Sequence, residues 1–218
     1  MIIAIDGPAG AGKSTVARLL ARRLGFLYLD TGAMYRAITL KALKEKLDLG
    51  DTQALIELAQ NTAIDLKNDQ DGALIITLDG QDVSKEIREP RITKSVSDIA
   101  KIKGVREVMV AVQRKLGLQR DSVLDGRDIG TVVFPDAERK FYIDAQFQER
   151  SRRRYKELIE AGQPVSLEDV SQDLSNRDTI DSTREFAPLK KAQDAIFIDT
   201  TNMSIAEVVD ALIKWINL

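Results

Sequence analysis

The stretch 1-MIIAIDGPAGAGKSTVARLL-20 decides how the chain folds. Ile2 to Asp6 reads as a short buried strand. From Ser14 the apolar positions Val16, Leu19, Leu20 and Leu24 recur at helical spacing, and Gly25 supplies a stop. Between strand and helix lies GPAGAGKS, residues 7–14, which fits G-x-x-x-x-G-K-[ST] in the context that turns the pattern into a site. Glycines let successive backbone N–H groups point into one cavity, and the helix N-terminus adds partial positive charge. Gly7, Pro8, Ala9, Gly10, Ala11, Gly12, Lys13, Ser14 and Thr15 are therefore expected to hold a nucleoside triphosphate. Lys13 can reach the outer phosphates, and the Ser14 hydroxyl is the candidate ligand for Mg²⁺. A bare turn would need neither the lysine nor the serine, and the spacing is not the G-x-G-x-x-G of a dinucleotide fold.

Composition narrows the chemistry. The 218 residues suffice for a full α/β core with insertions. Lys and Arg number 32 against 34 Asp and Glu, a formal charge of −2, so any positive site must be local. Neither a nucleic acid nor a membrane is required as partner. The absence of cysteine excludes disulfides and thiolate metal sites and fits a reducing compartment. The absence of histidine excludes a Ser-His triad, a histidine base and His-ligated zinc. The N-terminus lacks the basic flank of a signal peptide, and no segment approaches the roughly 20 apolar residues of a membrane span. A cytoplasmic protein is expected.

Strand-like and helix-like runs alternate along the chain. FLYLD (26–30), SVLD (122–125), KFYID (140–144) and AIFID (195–199) are further strands, so the fold expected is α/β, a parallel sheet of about five strands covered on both faces. Residues 33–47, 52–60 and 105–116 read as helices. Residues 63–83 differ, with turn signals at Asp71-Gly72 and Asp79-Gly80 between short β-branched runs. This reads as a small antiparallel sheet, an insert of about 62–100. Residues 147–161 are helical and basic, and Ser166-x-x-Asp169 and Ser204-x-x-Glu207 resemble helix starts.

A triphosphate loop alone does not separate a switch, a motor and a kinase. No N-K-x-D guanine reader is present, and the chain is short for a mechanical ATPase. A small-molecule kinase fits better and needs a second anion site for its acceptor. Three stretches offer one: DTGAMYR (30–36) with Arg36, DGRD (125–128) with Arg127 between two carboxylates, and NRDTIDSTR (176–184) with Arg177, Asp181 and Arg184. The first two follow predicted strands, where open parallel sheets bind ligands. Guanidinium groups suit phosphate geometry. A single arginine of this kind is ordinarily an exposed ion-pair member; four of them in three stretches opposite a triphosphate loop are not ordinary.

IDGPAGAGKST (5–15), LDTGAMYR (29–36), DGRDIGTVVFPDA (125–137) and RDTIDSTREFAPL (177–189), in this order, resemble the cytidylate kinase family over almost the whole chain. The resemblance implies transfer of the ATP γ-phosphoryl group to CMP or dCMP. It implies that Arg36, Arg127 and Arg184 hold the acceptor phosphate, that Asp128 meets the sugar or positions the phosphate site, and that Thr31 and Tyr35 line the pocket. Many relatives carry serine where this chain has Thr31; the hydroxyl is kept. The cytosine would be read by Ser97, Arg106, Arg177 and Asp181. A carboxylate can accept from the cytosine amino group, whereas uracil would present a lone pair to it. On the basic helix, Arg150, Arg153 and Arg154 share a face with Arg152 opposite, and Glu149 is spaced to pair with Arg153. Nucleotide kinases place such arginines on a lid, and these three are assigned to it.

The expected organisation is a core of residues 1–61, 101–146 and 185–218, an acceptor-binding insert near 62–100 and a lid near 147–184, working as a monomer. The alternatives are a kinase for another nucleoside monophosphate such as UMP, or a non-enzymatic nucleotide-binding switch.

Overall fold

Every residue of β1 (Ile2–Asp6) is buried, the condition of a middle strand in a sheet covered on both faces. The computed structural model describes residues 1–68 and 74–216. In it, β1 leads through the glycine loop into α1 (Lys13–Leu24), followed by β2 (Leu27–Asp30), α2 (Thr31–Lys44) and α3 (Thr52–Gln60). Then come β3 (Ile64–Asn68), β4 (Leu74–Leu78), β5 (Gln81–Asp82), α4 (Pro90–Ala100) and α5 (Lys103–Gly117). The chain closes with β6 (Ser122–Gly126), β7 (Arg139–Asp144), α6 (Phe147–Glu160), α7 (Leu167–Thr183), β8 (Ile196–Asp199) and α8 (Ile205–Ile216).

The main sheet has five strands in the order β2-β6-β1-β7-β8. All of its pairings are parallel, with Ile3 opposite both Val123 and Arg139. The period-2 alternation of side chains divides β1 between two cores. Ile3 and Ile5 pack with Phe141 and Ile143 against Val16 and Leu20 of α1 and Val208 and Leu212 of α8. Ile2 and Ala4 join Leu29 and Leu124 against α2, α3 and α5 on the other face.

The antiparallel sheet β3-β4-β5 forms as the turn signals predict. Asp79 and Gly80 both have positive φ, 50° and 83°, which suits the hairpin twist. The Asp71-Gly72 turn lies outside the described residues. This sheet has no core of its own: Ile64, Leu66, Ile76 and Leu78 share the cluster that holds Leu29, Met34 and Ile38. The insert also contains α4, which the strand reading of 62–100 overlooked. Pro90 opens that helix, and Ile92, Val96 and Ile99 form its buried stripe, so its signature was present.

Side-chain caps set the starts of α2, α3, α7 and α8. α2 begins two residues earlier than the periodicity suggests, because the Asp30 carboxylate accepts from the Ala33 N–H at 2.8 Å and turns β2 straight into the helix. Both predicted start boxes form: Ser166 Oγ accepts from Asp169 N at 3.0 Å, and Ser204 Oγ from Glu207 N at 3.3 Å. Among the described residues no helix is long and apolar enough to cross a membrane.

The turn out of β1 depends on Gly7. Its φ is 148°, and a Cβ there would sit 1.9 Å from the Ile143 carbonyl oxygen on β7. Gly7→Ala is expected to destabilise the protein by about 2–4 kcal/mol in urea unfolding, the scale of backbone strain joined to a core clash. Unchanged stability would mean that the loop does not leave β1 in this conformation.

Candidate nucleotide site at the carboxyl edge of the sheet

The glycine loop curls over the end of β1. Gly10 and Gly12 are left-handed, with φ of 75° and 86°, and a Cβ on Gly10 would lie 2.9 Å from the Arg150 carbonyl oxygen of α6. Lys13 is 5% exposed, and its ammonium donates to the Pro8 carbonyl at 2.6 Å. Burial, and then the Arg127 charge, push its pKa down. A polyanion between two such cations would reverse that shift. Ser14 Oγ donates to Asp125 Oδ2 at 2.7 Å, while the other Asp125 oxygen accepts from the Tyr28 hydroxyl at 2.9 Å. Burial and the neighbouring Asp30 push Asp125 upward.

A hydroxyl beside a carboxylate is a hard-oxygen donor set that suits Mg²⁺. No group of three or more acidic residues suited to holding a metal occurs among the described residues.

Across from the loop, five charged side chains from three segments of the chain form an alternating row. Arg106 of α5 lies 2.6 Å from one oxygen of Asp128, and Arg184 lies 3.6 Å from the other. Arg184 also reaches Asp181 Oδ1 at 3.2 Å, and Arg127 Nε donates to Asp181 Oδ2 at 2.8 Å. The order is thus Arg106, Asp128, Arg184, Asp181, Arg127. Burial raises the Asp181 pKa, but Arg127 and Arg184 outweigh it and hold the carboxyl below its ordinary value. Arg106, which alone in a sequence looks like a solvated helix residue, is 2% exposed and lies over the Tyr35 ring, 5.1 Å from its centroid.

The other predicted acceptor residues have partners or positions of their own. Thr31 Oγ1 donates to the Asp125 carbonyl at 2.8 Å. Arg36 is half-buried and pairs with Asp30 at 2.9 Å, separate from the row. Burial and the nearby Arg127 bring Arg177 down to about 10. Ser97 is partly buried on α4.

The predicted lid arginines do not act alike. Arg150 donates through Nη1 to the Ala9 carbonyl at 3.0 Å and to Asp178 Oδ2 at 2.6 Å. Asp178 Oδ1 in turn accepts from the Ala9 N–H at 3.3 Å, so α6 and α7 both fasten onto the glycine loop. Arg153 turns instead to Thr200, donating to its carbonyl at 2.6 Å, and pairs with Glu149 at 3.0 Å as the spacing suggests. Arg154 pairs with the exposed Glu157 at 2.9 Å. Of the three, Arg150 alone bonds the loop directly.

Four carboxylates at this edge were not singled out from the sequence: Asp6, Asp30, Asp125 and Asp178. Asp6 is buried and accepts from the N–H groups of Ile129 and Gly130 at 2.8 and 2.7 Å. Burial carries its pKa up to about 7 against those two bonds. A signal for three of them was legible: IIAID, LYLD and SVLD are apolar runs that each end on aspartate.

A parallel sheet whose central strand runs into a G-x-x-x-x-G-K-S loop defines a P-loop nucleotide-binding fold of the kind built into small-molecule kinases. Its shape is similar to shikimate kinase from Bacteroides thetaiotaomicron, with a TM-score of 0.51 at 11% identity over 100% of this chain and 99% of that one. It is similar also to an uncharacterized protein from Eubacterium ventriosum ATCC 27560, with a TM-score of 0.53 at 14% identity over 100% and 98% of the two chains. At these identities the likeness is one of fold alone.

Sequence is more specific. The cytidylate kinase of Clostridioides difficile (strain 630) is 50% identical over 218 residues, 100% of this chain and 99% of the relative. That of Geobacillus sp. (strain WCH70) is 54% identical over 215 residues, 99% and 96% of the two chains. A family model described as Cytidylate kinase matches residues 3–218. The chain belongs to the cytidylate kinase family.

The charged row generates a stability prediction. Asp128→Ala leaves Arg106 and Arg184 buried without their shared carboxylate and is expected to cost about 3–5 kcal/mol in urea unfolding. Adding Arg106→Met should restore part of that loss, because an apolar chain replaces an unpaired cation. A double variant that loses the sum of both single effects would contradict the pairing.

Proposed function

We propose that this chain transfers the γ-phosphoryl group of ATP to CMP or dCMP, giving ADP and CDP or dCDP. The observation that carries the reading is the alternating row from Arg106 to Arg127, facing a phosphate loop in a member of the cytidylate kinase family. Such a row can exchange internal partners for external ones: a phosphate takes an arginine from its aspartate, and a cytosine amino group takes the aspartate.

On this reading the loop from Gly7 to Thr15 holds the ATP phosphates, and Lys13 meets the outermost of them. Mg²⁺ held through Ser14, with Asp125 behind it, supplies neutralisation of the donor phosphates. Arg36, Arg127 and Arg184 bind the CMP phosphate, Asp128 the sugar, and Thr31 and Tyr35 the pocket wall. Asp181 accepts from the cytosine amino group, with Arg177, Arg106 and Ser97 completing the base site. The insert (62–100) and the lid (147–184, with Arg150, Arg153 and Arg154) close on the core and exclude water.

The nucleophile is a phosphate oxygen whose second pKa is about 6, already ionised at neutral pH, so no general base is needed. A chain without histidine can run such a reaction by positioning and charge neutralisation. We infer a monomeric, cytoplasmic enzyme that acts on small molecules and not on nucleic acid.

ADP release measured with CMP, dCMP, UMP, AMP and dTMP side by side tests the reading. CMP and dCMP should be the preferred acceptors. Preference for another monophosphate, or ADP release without acceptor dependence, would overturn it. Asp181→Ala should erode discrimination against UMP by about tenfold or more, with little change in ATP affinity. Lys13→Ala should slow every acceptor alike, by about 100-fold; near-normal turnover would remove Lys13 from the phosphate site.

A further inference from the structure

Asp6 closes β1 and immediately precedes the glycine loop, yet among the described residues its carboxylate is not hydrogen-bonded to that loop. Its two oxygens instead accept from Ile129 N at 2.8 Å and Gly130 N at 2.7 Å, the amides that directly follow Arg127 and Asp128. Those amides belong to a wide turn, Ile129–Val133, in which the Val132 and Val133 N–H groups fold back onto the Asp128 carbonyl. Approach is close: a Cβ on Gly130 would lie 3.4 Å from Asp6 Oδ2 and 3.2 Å from the Lys140 stem. Lys140 is engaged elsewhere, with its ammonium on Asp194 at 2.7 Å. Among the described residues no cation lies within ion-pair distance of Asp6, which is 4% exposed.

A carboxylate in such a place is costly. Burying an ion without a partner takes several kcal/mol, and two amide bonds offset only part of that. A serine or a backbone carbonyl could satisfy one of these amides at less expense. What the carboxylate alone provides is a rigid two-pronged clamp between consecutive amides of one loop and the strand residue that leads into another.

We propose that Asp6 is a positioning residue for phosphoryl transfer, fixing the Arg127-Asp128 segment at a set distance from the loop that begins at Gly7. The donor phosphates bind to the loop that follows Asp6, and the acceptor phosphate to the segment that Asp6 clamps. The spacing of the two reacting groups therefore runs through this side chain as well as through the β1–β6 pairing that ends at Asp6 and Gly126. This rests on the reading of the site given above.

Asp6→Asn is the direct test. The amide is isosteric, but one of its prongs becomes a donor facing a donor, so one clamp bond is lost. With saturating Mg·ATP and CMP, kcat is expected to fall by about 100-fold, the scale of a displacement near 1 Å. KM for each nucleotide should stay within about threefold, since the binding groups remain. The ratio of ADP released to CDP formed, near one in the parent enzyme, should rise as water captures phosphoryl groups that the displaced acceptor misses. Asp6→Glu, which keeps the charge but not the reach, should not restore the ratio.

A variant with parental kcat and ratio would overturn the proposal. So would one whose kcat falls while the ratio stays at one, or one that does not fold by thermal melting; either would assign the carboxylate to stability. A parent enzyme that forms no CDP would instead remove the underlying functional reading, an outcome separate from any behaviour of the variants.

Discussion

The carboxyl edge of the sheet is a row of negative charge, and the rest of the site is arranged to offset it. β1, β2, β7 and β8 end on Asp6, Asp30, Asp144 and Asp199, and Asp125 stands one residue from the end of β6. The register sets Asp30 opposite Asp125 and Asp144 opposite Asp199. Each is answered differently. Asp6 takes two amides, Asp30 an arginine and a helix N-terminus, and Asp125 two hydroxyls. Asp144 takes the Ala145 amide at 2.7 Å with Arg150 at 3.4 Å, and Asp199 the Thr201 hydroxyl at 2.6 Å. A triphosphate brought to such an edge would be repelled unless cations lay between; Lys13 and Arg150 both donate to carbonyls of the glycine loop, and Arg127 pairs with Asp181.

Those cations carry a physical cost of their own. Burial and the Arg127 charge lower the Lys13 pKa, and Arg177 feels burial and the same neighbour, whereas Asp181 holds Arg127 above its ordinary value against its own burial. Alternation is the arrangement that relieves this: every arginine in the row from Arg106 to Arg127 sits against an aspartate. Buried ion pairs add little net stability compared with apolar packing, so a row of them is better understood as a specificity and exchange device. Charges that have partners inside the protein can trade them for partners on a ligand at small net cost. Helices α6 and α7 repeat the pattern at the glycine loop, with Asp178 bridging Arg150 and that loop.

Much of this was legible in the sequence, for a physical reason. Local signals decide local structure, so the order of strands and helices, the Asp79-Gly80 hairpin and the Ser166 and Ser204 helix starts could be read from spacing and turn chemistry. The glycine loop was legible because backbone geometry dictates its composition. What spacing could not give was pairing across the chain. Arg106 is a solvated helix residue until the fold brings it to Asp128, and Asp6 is a strand end until Ile129 and Gly130 arrive beside it. The division of the basic helix was equally hidden: Arg150, Arg153 and Arg154 are neighbours by periodicity, and only the tertiary fold sends one to Ala9 and another to Thr200. α4 was legible and overlooked, because two strong turn signals upstream drew the whole segment into one sheet.

The central claim is that one edge of the sheet assembles enough positive charge to hold a donor and an acceptor phosphate in contact. The most direct measurement is the affinity of a single molecule that carries both, an adenosine and a cytidine joined by five phosphates, titrated by calorimetry in the presence of Mg²⁺. The account predicts one molecule bound per chain, at least about 100-fold tighter than ATP alone, with ATP and CMP both excluded from the complex. Affinity no greater than that of ATP, or a complex that still binds CMP, would contradict it.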